Sequence, residues 1–245
     1  MADHSTVDLT DRRSVLEAVG HHPYGRFVAG VSVGLHGIAV DDGVFWRCVG
    51  PFGPYGHAFG RAAAAALEQA ARRGLLAGLD RLNLPAELPL PAGWVQREAW
   101  DYRWLPAGLT VTDEQPVRAV QAPDEIDRLL DEAYPDTELR PGHPLVAGWY
   151  GVWVDGYLVA CAADRSGFPT EPDAAPTGVI GAVAVHPAHR GRGLGAAVTA
   201  GVATALLARY DQVGLGVTEG NDTATRVYER LGFTGVYRLR SVRPV

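Results

Sequence analysis

The sequence contains no lysine: all 22 of its basic side chains are arginine, and 28 acidic residues outnumber them. The missing lysine excludes the Walker phosphate-binding loop, because the Gly-Lys-Ser/Thr ending of that loop requires it. The formal net charge of −6 argues against a nucleic-acid-binding surface, which needs a basic face. We therefore expect neither a P-loop nucleotide site nor a nucleic-acid partner.

Cysteine is also scarce, since Cys48 and Cys161 are the only two among 245 residues. Their spacing indicates no disulfide framework, and both lie in apolar stretches where cysteine acts as a small hydrophobic residue. The sequence shows no N-terminal export signal, and no apolar run of about 18 residues outside its alanine- and glycine-rich helical stretches. We expect a soluble protein of the reduced cytoplasm with no membrane partner.

The most informative segment is a glycine-rich stretch that follows a predicted buried strand, Val179 to Val185. Pro187 ends this strand, because proline donates no ladder hydrogen bond. Arg190 to Gly195 then opens a helix whose apolar residues recur every four positions from Leu194 to Leu206. Free N–H groups at a helix start, together with the helix dipole, bind anions. With two arginines beside them, they predict a pyrophosphate-binding site.

Two known patterns compete for this stretch. Gly191 to Ala196 fits the dinucleotide fingerprint Gly-x-Gly-x-x-Gly/Ala, but that fingerprint opens a βαβ array and is followed about 20 residues later by an acidic residue. Here the segment lies near the C-terminus, and Glu219 comes too late. The sequence Pro-x-x-Arg-Gly-x-Gly-x-Gly, from Pro187 to Gly195, instead resembles the acyl-CoA loop of the GNAT superfamily of N-acyltransferases.

A second segment supports the same resemblance. A short predicted strand from Leu215 ends at Asn221, and a helix follows that Gly232 terminates. The pattern Asn-x-x-Ala-x-x-x-Tyr-x-x-Leu-Gly-Phe, from Asn221 to Phe233, resembles the closing segment of that superfamily. Asn221 and Tyr228 lie two helical turns apart, so both can face one cleft. The resemblance covers roughly residues 116 to 243.

The resemblance implies an α/β (α+β) fold, with a mixed, mostly antiparallel sheet flanked by helices on both faces. It also implies transfer of an acyl group, in the first instance acetyl, from acyl-CoA to a primary amine of a small molecule or peptide within a ternary complex. Tyr228 would be the general acid for the departing thiol, and Asn221 would bind the pantetheine arm. The other expected cofactor-binding residues are Val183, Ala184, Val185, Arg190, Gly191, Arg192, Gly193, Leu194, Gly195 and Ala196.

Three points stay open at this stage. A non-catalytic acyl-CoA-binding or sensing module is the alternative function, and a nicotinamide-dependent enzyme is a weaker one. The general base is unassigned, because the family's usual carboxylate positions hold Gly181 or Ala182 and Gly216. Four substitutes are Asp164, Glu138, His143 and Glu219; the alternatives are a water chain to solvent, or an acceptor amine of low pKa that needs no base. The nine acids between Asp113 and Glu138 form either a rim that attracts a cationic amine or a solvated helix face.

We expect no metal, because the histidines lack metal-ligand spacing; His186 and His189 should instead bond or pack beside the loop. We predict a catalytic half at 117–245, a linker at 106–116 and a smaller N-terminal half at 1–105. That half is either a degenerate copy of the same fold or an unrelated α/β cap. We expect it to cover the sheet of the catalytic half and to shape the acceptor cleft. The copy is suggested by two predicted strands in 26–40, a Pro/Gly loop at 50–60 and an alanine-rich helix at 61–73. A homodimer stays open.

Overall fold

A 12-stranded mixed sheet runs through the chain in this computed structural model, which describes residues 5–50, 52–106, 116–167 and 177–245. The strands are β1 Thr6–Leu9, β2 Val33–Val40, β3 Gly43–Gly50, β4 Gly53–Phe59, β5 Arg81–Pro85, β6 Trp94–Trp104, β7 Arg118–Val120, β8 Gly148–Val154, β9 Tyr157–Asp164, β10 Gly178–Val185, β11 Val213–Thr218 and β12 Gly235–Pro244. The helices are α1 Arg12–Ala18, α2 Pro23–Gly30, α3 Ala63–Arg72, α4 Pro123–Ala133, α5 Leu194–Leu207 and α6 Asp222–Arg230. A short 3₁₀ turn, Pro187–His189, lies between β10 and α5.

The strand order is β1-β2-β3-β4-β5-β12-β6-β11-β10-β9-β8-β7. Only β4 with β5 and β10 with β11 are parallel pairs; the other neighbours are antiparallel. The last strand, β12, lies between β5 and β6, so strands from the beginning and end of the chain interleave. The predicted fold class, a mixed and mostly antiparallel sheet, is confirmed.

Helices cover both faces of the sheet around β9. Because successive side chains of a strand point to opposite faces, Ala160 and Ala162 pack with α5 in one core cluster, whereas Cys161 and Ala163 pack with α4 in another. The alanines of β9 leave room for both helices to approach closely. This two-sided packing makes β9 and β10 the buried centre of the C-terminal part.

Two local predictions for the N-terminal part are wrong. Residues 23–30 form helix α2 and not a strand, because Pro23 occupies the first turn and the His22 ring accepts a hydrogen bond from the Tyr24 N–H at its start. The expected Pro/Gly loop is strand β4, which pairs with β3 along its whole length. The order of elements that suggested a repeat is therefore different from the order observed.

The other predicted elements are close to those observed. The alanine-rich helix predicted at 61–73 is α3, and the strand predicted from Val179 to Val185 is β10. In addition, Pro123 begins α4, and β8 and β9 form a hairpin about Asp155 and Gly156. Residues 107–115 of the predicted linker lie outside the described residues, so the division at 106–116 stays a prediction. Within the described ranges, no helix has the length and apolarity needed to cross a membrane.

Candidate active site

A split between two neighbouring strands creates the site. β10 and β11 pair only as far as Ile180 and Leu215. Ala182 then adopts a φ of +46°, and the register of β10 on β9 shifts between Gly181 and Ala184, which is a β-bulge. Beyond it, β10 continues along β9 while β11 continues along β6 to Thr218. The facing edges of β10 and β11 therefore separate.

A cavity of about 780 Å³ opens at this split, lined by the ends of β10 and β11 and the first turns of α5 and α6. All but one of the twelve predicted site residues line it. Those that do are Val183, Ala184, Val185, Arg190, Gly191, Gly193, Leu194, Gly195, Ala196, Asn221 and Tyr228. The exception is Arg192, whose side chain is exposed and is not among the lining residues.

The start of α5 presents unpaired backbone donors to this cavity. The first intrahelical hydrogen bond runs from the Ala197 N–H to the Gly193 carbonyl at 3.0 Å, and no side chain caps the helix among the described residues. The N–H groups of residues 194–196 therefore have no intrahelical partner. Gly191 and Gly193 have φ values of +76° and +78°, a backbone region that favours glycine. The geometry forms an anion-binding site at the positive end of a 14-residue helix.

The arginines that line the cavity are Arg190 and Arg230, whereas the sequence predicts Arg190 and Arg192. The Arg190 guanidinium donates to the carbonyls of Val185 at 3.3 Å and Ala133 at 3.4 Å, so it ties the loop to the last turn of α4. Arg230, at the end of α6, also lines the cavity. Sequence reasoning missed Arg230 because no local signal distinguishes it from a solvated helix residue. The cavity thus has positive charge on two of its sides.

The two residues predicted on the closing helix lie on the same cavity wall. The Asn221 Oδ1 accepts a hydrogen bond from the Ala224 N–H at 3.1 Å and caps α6. Its Nδ2 group makes no hydrogen bond to another described residue and is available to a ligand. Tyr228 is only 7% exposed and packs its ring edge-on against Phe233.

The phenol of Tyr228 is a weak acid in this setting. Burial, with a smaller contribution from the nearby Tyr134 phenol, raises the pKa of Tyr228 to about 12. The hydroxyl therefore stays protonated through the neutral range and can donate to a developing negative charge. Tyr134 lines the same cavity from the end of α4, a position that no local sequence pattern predicts.

The end of β10 offers a backbone donor toward the split. The His186 N–H donates to the Val159 carbonyl of β9 at 2.9 Å. Because neighbouring residues of a strand direct their backbone groups to opposite edges, the Val185 N–H points away from β9 and toward β11. This donor lies on the same cavity lining as Tyr228.

A second, smaller cavity of about 230 Å³ adjoins the first. N-terminal residues form most of its wall, and Gly216, Val217 and Thr218 of β11 complete it. These three residues also line the larger cavity, so the two cavities meet at the end of β11. Three charged side chains face the smaller cavity: Arg81, Glu98 and Arg165.

None of the four side chains weighed as general bases lines either cavity. Asp164 is buried in an ion pair with Arg209 at 2.5 Å, and the His143 ring accepts from the Leu145 N–H. Glu98 of β6 is the carboxylate that does line the smaller cavity. The sequence could not indicate Glu98, because β6 precedes residues 116–243, the region that carries the family resemblance. β6 reaches the site only by pairing with β11.

The acidic residues of α4 are mostly paired. Arg128 and Arg140 form ion pairs with the acids at positions 125, 127, 131 and 132, and the His186 ring bonds Glu132 at 2.7 Å. This pattern resembles a compensated helix face more than a free acidic rim. Within the described ranges, no group of three or more histidine, cysteine or acidic residues is arranged to hold a metal ion.

Comparison with known proteins identifies relatives of this chain. The family model described as FR47-like protein matches residues 170–241, which include both motif segments. A mycothiol acetyltransferase of Thermobispora bispora is 32% identical over 167 residues, covering 64% of this chain and 53% of that protein. The chain therefore spans about half the length of this curated relative.

Solved structures share the fold. A GCN5-related N-acetyltransferase from Kribbella flavida is 18% identical with a TM-score of 0.58, covering 94% of this chain and 95% of that one. A putative acetyltransferase from the GNAT family of Novosphingobium aromaticivorans is 24% identical with a TM-score of 0.53, covering 82% and 88%. In both comparisons the shared architecture extends over the N-terminal and C-terminal parts.

Proposed function

We propose that this chain is a GNAT N-acyltransferase, which transfers an acyl group, in the first instance acetyl, from acyl-CoA to a primary amine. The FR47-like match, the similarity to a mycothiol acetyltransferase and the shared fold support this assignment. Transfer would be direct, with both substrates bound at once. The observation that carries the proposal is the uncapped start of α5, which opens into the same cavity as the protonated hydroxyl of Tyr228.

The residues present fit a coenzyme A thioester. The free N–H groups of residues 194–196 suit a diphosphate, and Arg190 and Arg230 add positive charge near them. The Nδ2 group of Asn221 and the N–H of Val185 supply donors along the wall that leads toward Tyr228. The cavity of about 780 Å³ falls within the range of about 300–1,000 Å³ that is usual for small-molecule sites.

The protein's contribution to the chemistry would be positioning and proton control. The bound thioester supplies an activated acyl group. Backbone donors of β10 would orient and polarise its carbonyl, and such positioning commonly exceeds proton transfer in its contribution to the rate. Tyr228 would donate a hydrogen bond to the departing sulfur. A free thiol has a pKa near 8.5, whereas the pKa of Tyr228 is about 12. The sulfur can therefore leave as a thiolate that accepts a hydrogen bond from the phenol, and the phenol keeps its proton.

We assign Glu98 as the side chain that accepts the proton lost by the amine. It is half-buried, lies in the smaller cavity and forms no ion pair within the described parts of the chain. An amine must lose a proton to attack a carbonyl, and a carboxylate within reach directly or through one water can accept it. Because the two cavities meet at Gly216 to Thr218, an amine in the smaller cavity is close to an acyl group in the larger one.

Release of free thiol from acyl-CoA tests the function. The full chain is incubated with acetyl-CoA or longer acyl-CoAs and a mixed library of primary amines, and thiol is measured with a chromogenic disulfide. We expect thiol release that depends on an amine, with the N-acylated product detected by mass spectrometry. Binding of coenzyme A without release for any amine would instead indicate the acyl-CoA-binding or sensing module. We also infer a reducing cytoplasmic location, which the two buried free cysteines support.

A further inference from the structure

Two arginines, Arg81 and Arg165, line the smaller cavity. Neither Arg81 nor Arg165 has an acidic side chain within ion-pair distance in the described parts of the chain, whereas several other arginines there do. The Arg81 guanidinium lies over the Tyr55 ring, 5.3 Å from its centre. Arg165 directly follows β9, and its Nε is buried without a hydrogen-bond partner among the described residues.

Arg165 also lies beside the reaction centre. Its side-chain stem packs over Gly181 of β10, where its Cδ would be 3.3 Å from an added Cβ. Gly181 lines the larger cavity, whereas Arg165 lines the smaller one. Arg165 therefore connects the wall of the smaller cavity with the strand that lines the larger one. The absence of a side chain at Gly181 gives it this position.

The charge in the smaller cavity is positive overall. Two arginines and Glu98 give a net charge of about +1, counting only the charged side chains that line it. His57 does not add to it, because burial lowers the pKa of His57 to about 3. Burial and the neighbouring Arg81 charge lower the pKa of Arg165, and the opposing effects of Tyr55 and Glu138 do not cancel this lowering. The lowered pKa reflects the cost of holding two cations in an enclosed space. An anionic ligand would relieve this cost.

The geometry points to the chemical class of the acceptor. We propose that the smaller cavity is the acceptor subsite and that the acceptor is a small primary amine carrying a carboxylate or phosphate group, bound by Arg81 and Arg165. This inference rests on the proposed function. The planar guanidinium matches both anions through paired hydrogen bonds. A volume of about 230 Å³ suits a molecule of amino-acid size rather than a folded protein segment.

This assignment differs from the cationic acceptor that an acidic rim would attract. The acids of α4 are compensated by Arg128, Arg140 and His186, whereas Arg81 and Arg165 form no ion pair with a residue that the structure describes. A polyamine would place positive charge beside two guanidinium groups in a site of low dielectric constant, which is strongly unfavourable.

Matched acceptor pairs test the proposal. Initial rates of thiol release are compared for serine against serinamide, and for ethanolamine phosphate against ethanolamine, with putrescine as the cationic arm. We expect kcat/KM for at least one anionic member to exceed that of its neutral partner by tenfold or more, and putrescine to be the poorest acceptor. The arm that responds distinguishes a carboxylate from a phosphate. Equal rates within both pairs, or a preference for putrescine, would overturn the proposal.

Variants of the two arginines test whether Arg81 and Arg165 cause the preference for an anionic acceptor. Arg81→Gln and Arg165→Gln should each raise KM for the anionic acceptor at least tenfold and abolish the discrimination within a pair, while KM for acetyl-CoA changes less than threefold. Arg165→Lys keeps the charge but loses the paired donors, so it should restore only part of the discrimination. Arg13→Gln is the matched control, because the Arg13 side chain is 87% exposed. Unchanged discrimination in both glutamine variants would refute the assignment.

Calorimetry separates this proposal from the proposed function. N-acetylserine and N-acetylserinamide are titrated into the full chain saturated with coenzyme A, so that no turnover is needed. Preferential binding of N-acetylserine that disappears in Arg81→Gln supports the subsite even if the thiol-release screen finds no activity. Turnover of amines with no such preference in either assay leaves the acyltransferase function in place and removes the anionic acceptor.

Discussion

At the scale of single residues, the account depends most on Tyr228. Its hydroxyl belongs to a ring packed against Phe233 and lies in the wall of the larger cavity. Because burial raises its pKa to about 12, it remains a proton donor over the pH range in which most amines become nucleophilic. A donor of this kind stabilises a departing thiolate without ionising itself.

Replacing Tyr228 by phenylalanine removes the donor and keeps the packing. We expect kcat to fall about 10²- to 10³-fold, the range typical of removing one hydrogen-bond donor to a developing negative charge, while the affinity for coenzyme A stays within threefold. Steady-state kinetics and calorimetry measure the two quantities. In the unmodified chain, deprotonation of Tyr228 should not reduce the rate until the pH nears 12, because its raised pKa keeps the phenol protonated below that value. A variant with full kcat would remove Tyr228 from the chemistry.

Glu98 gives the corresponding test on the acceptor side. Glu98→Gln keeps the size of the side chain and removes its capacity to accept a proton. We expect kcat to decrease by about 10²-fold or more, with partial recovery at higher pH, where more of the amine is already neutral. Glu219→Gln is the control, since Glu219 is exposed and lines neither cavity. Equal activity of the two variants would exclude Glu98 as the proton acceptor.

At the scale of elements, the bulge in β10 creates the site. Ala182 has a positive φ and is buried against α4, so a β-branched residue there is strained both by its backbone and by crowding. We expect Ala182→Val to lower the free energy of unfolding by about 2 kcal/mol or more and to weaken coenzyme A binding.

Ala182→Gly is the matched variant for this prediction. Glycine adopts a positive φ readily, and the relief of backbone strain offsets the lost methyl contact. The free energy of unfolding of Ala182→Gly should therefore stay within about 1 kcal/mol of that of the unmodified protein. Urea denaturation of both variants measures the difference. Similar stabilities for the valine and glycine variants would show that the bulge is not constrained as described.

Local patterns explain how much of these elements the sequence could predict. Helices α5 and α6 follow from their start and stop residues, and the loop between β10 and α5 follows from Pro187 and its glycines. The bulge and the split carry no sequence signal, because they depend on which strands pair. Helix α2 replaces the predicted strand for a related reason. Phe27, Val28 and Ala29 have apolar side chains that suit a helix or a strand, and only their packing determines which one forms.

At the scale of the whole molecule, pairing joins the two ends of the chain. β6 lies between β11 and β12, and it pairs with β12 along ten residues of each strand. The smaller cavity exists only because this arrangement brings Arg81 and Glu98 beside β11. Local sequence patterns predict neither the pairing of β6 with β11 and β12 nor the cavity that results, because both bring together residues more than a hundred positions apart.

This interleaving predicts that the C-terminal half does not fold alone. A fragment of residues 117–245 lacks β5 and β6, so β11 and β12 would expose unpaired edges. We expect the fragment to aggregate or to unfold without a cooperative transition, as measured by size-exclusion chromatography and chemical denaturation. Co-expression with residues 1–105 should restore a complex. A monodisperse fragment that binds coenzyme A would contradict this interpretation.

The start of α5 is the centre of the account, and Gly195 allows it to be tested directly. A Cβ added at Gly195 would meet Val185 Cγ2 at an ordinary 3.6 Å, and an acidic residue in the first turn of a helix is favourable for its stability. Gly195→Asp should therefore keep the fold but place a negative charge where the diphosphate would bind, whereas Gly195→Ala adds only a methyl group.

The decisive measurement is calorimetric titration of coenzyme A into the full chain and these two variants. The account predicts one binding site in the original protein, an affinity at least tenfold weaker in Gly195→Asp, equivalent to about 1.4 kcal/mol, and a change below threefold in Gly195→Ala. No heat with the original protein, or equal affinities for the original and the aspartate variant, would contradict the claim that the start of α5 binds the cofactor.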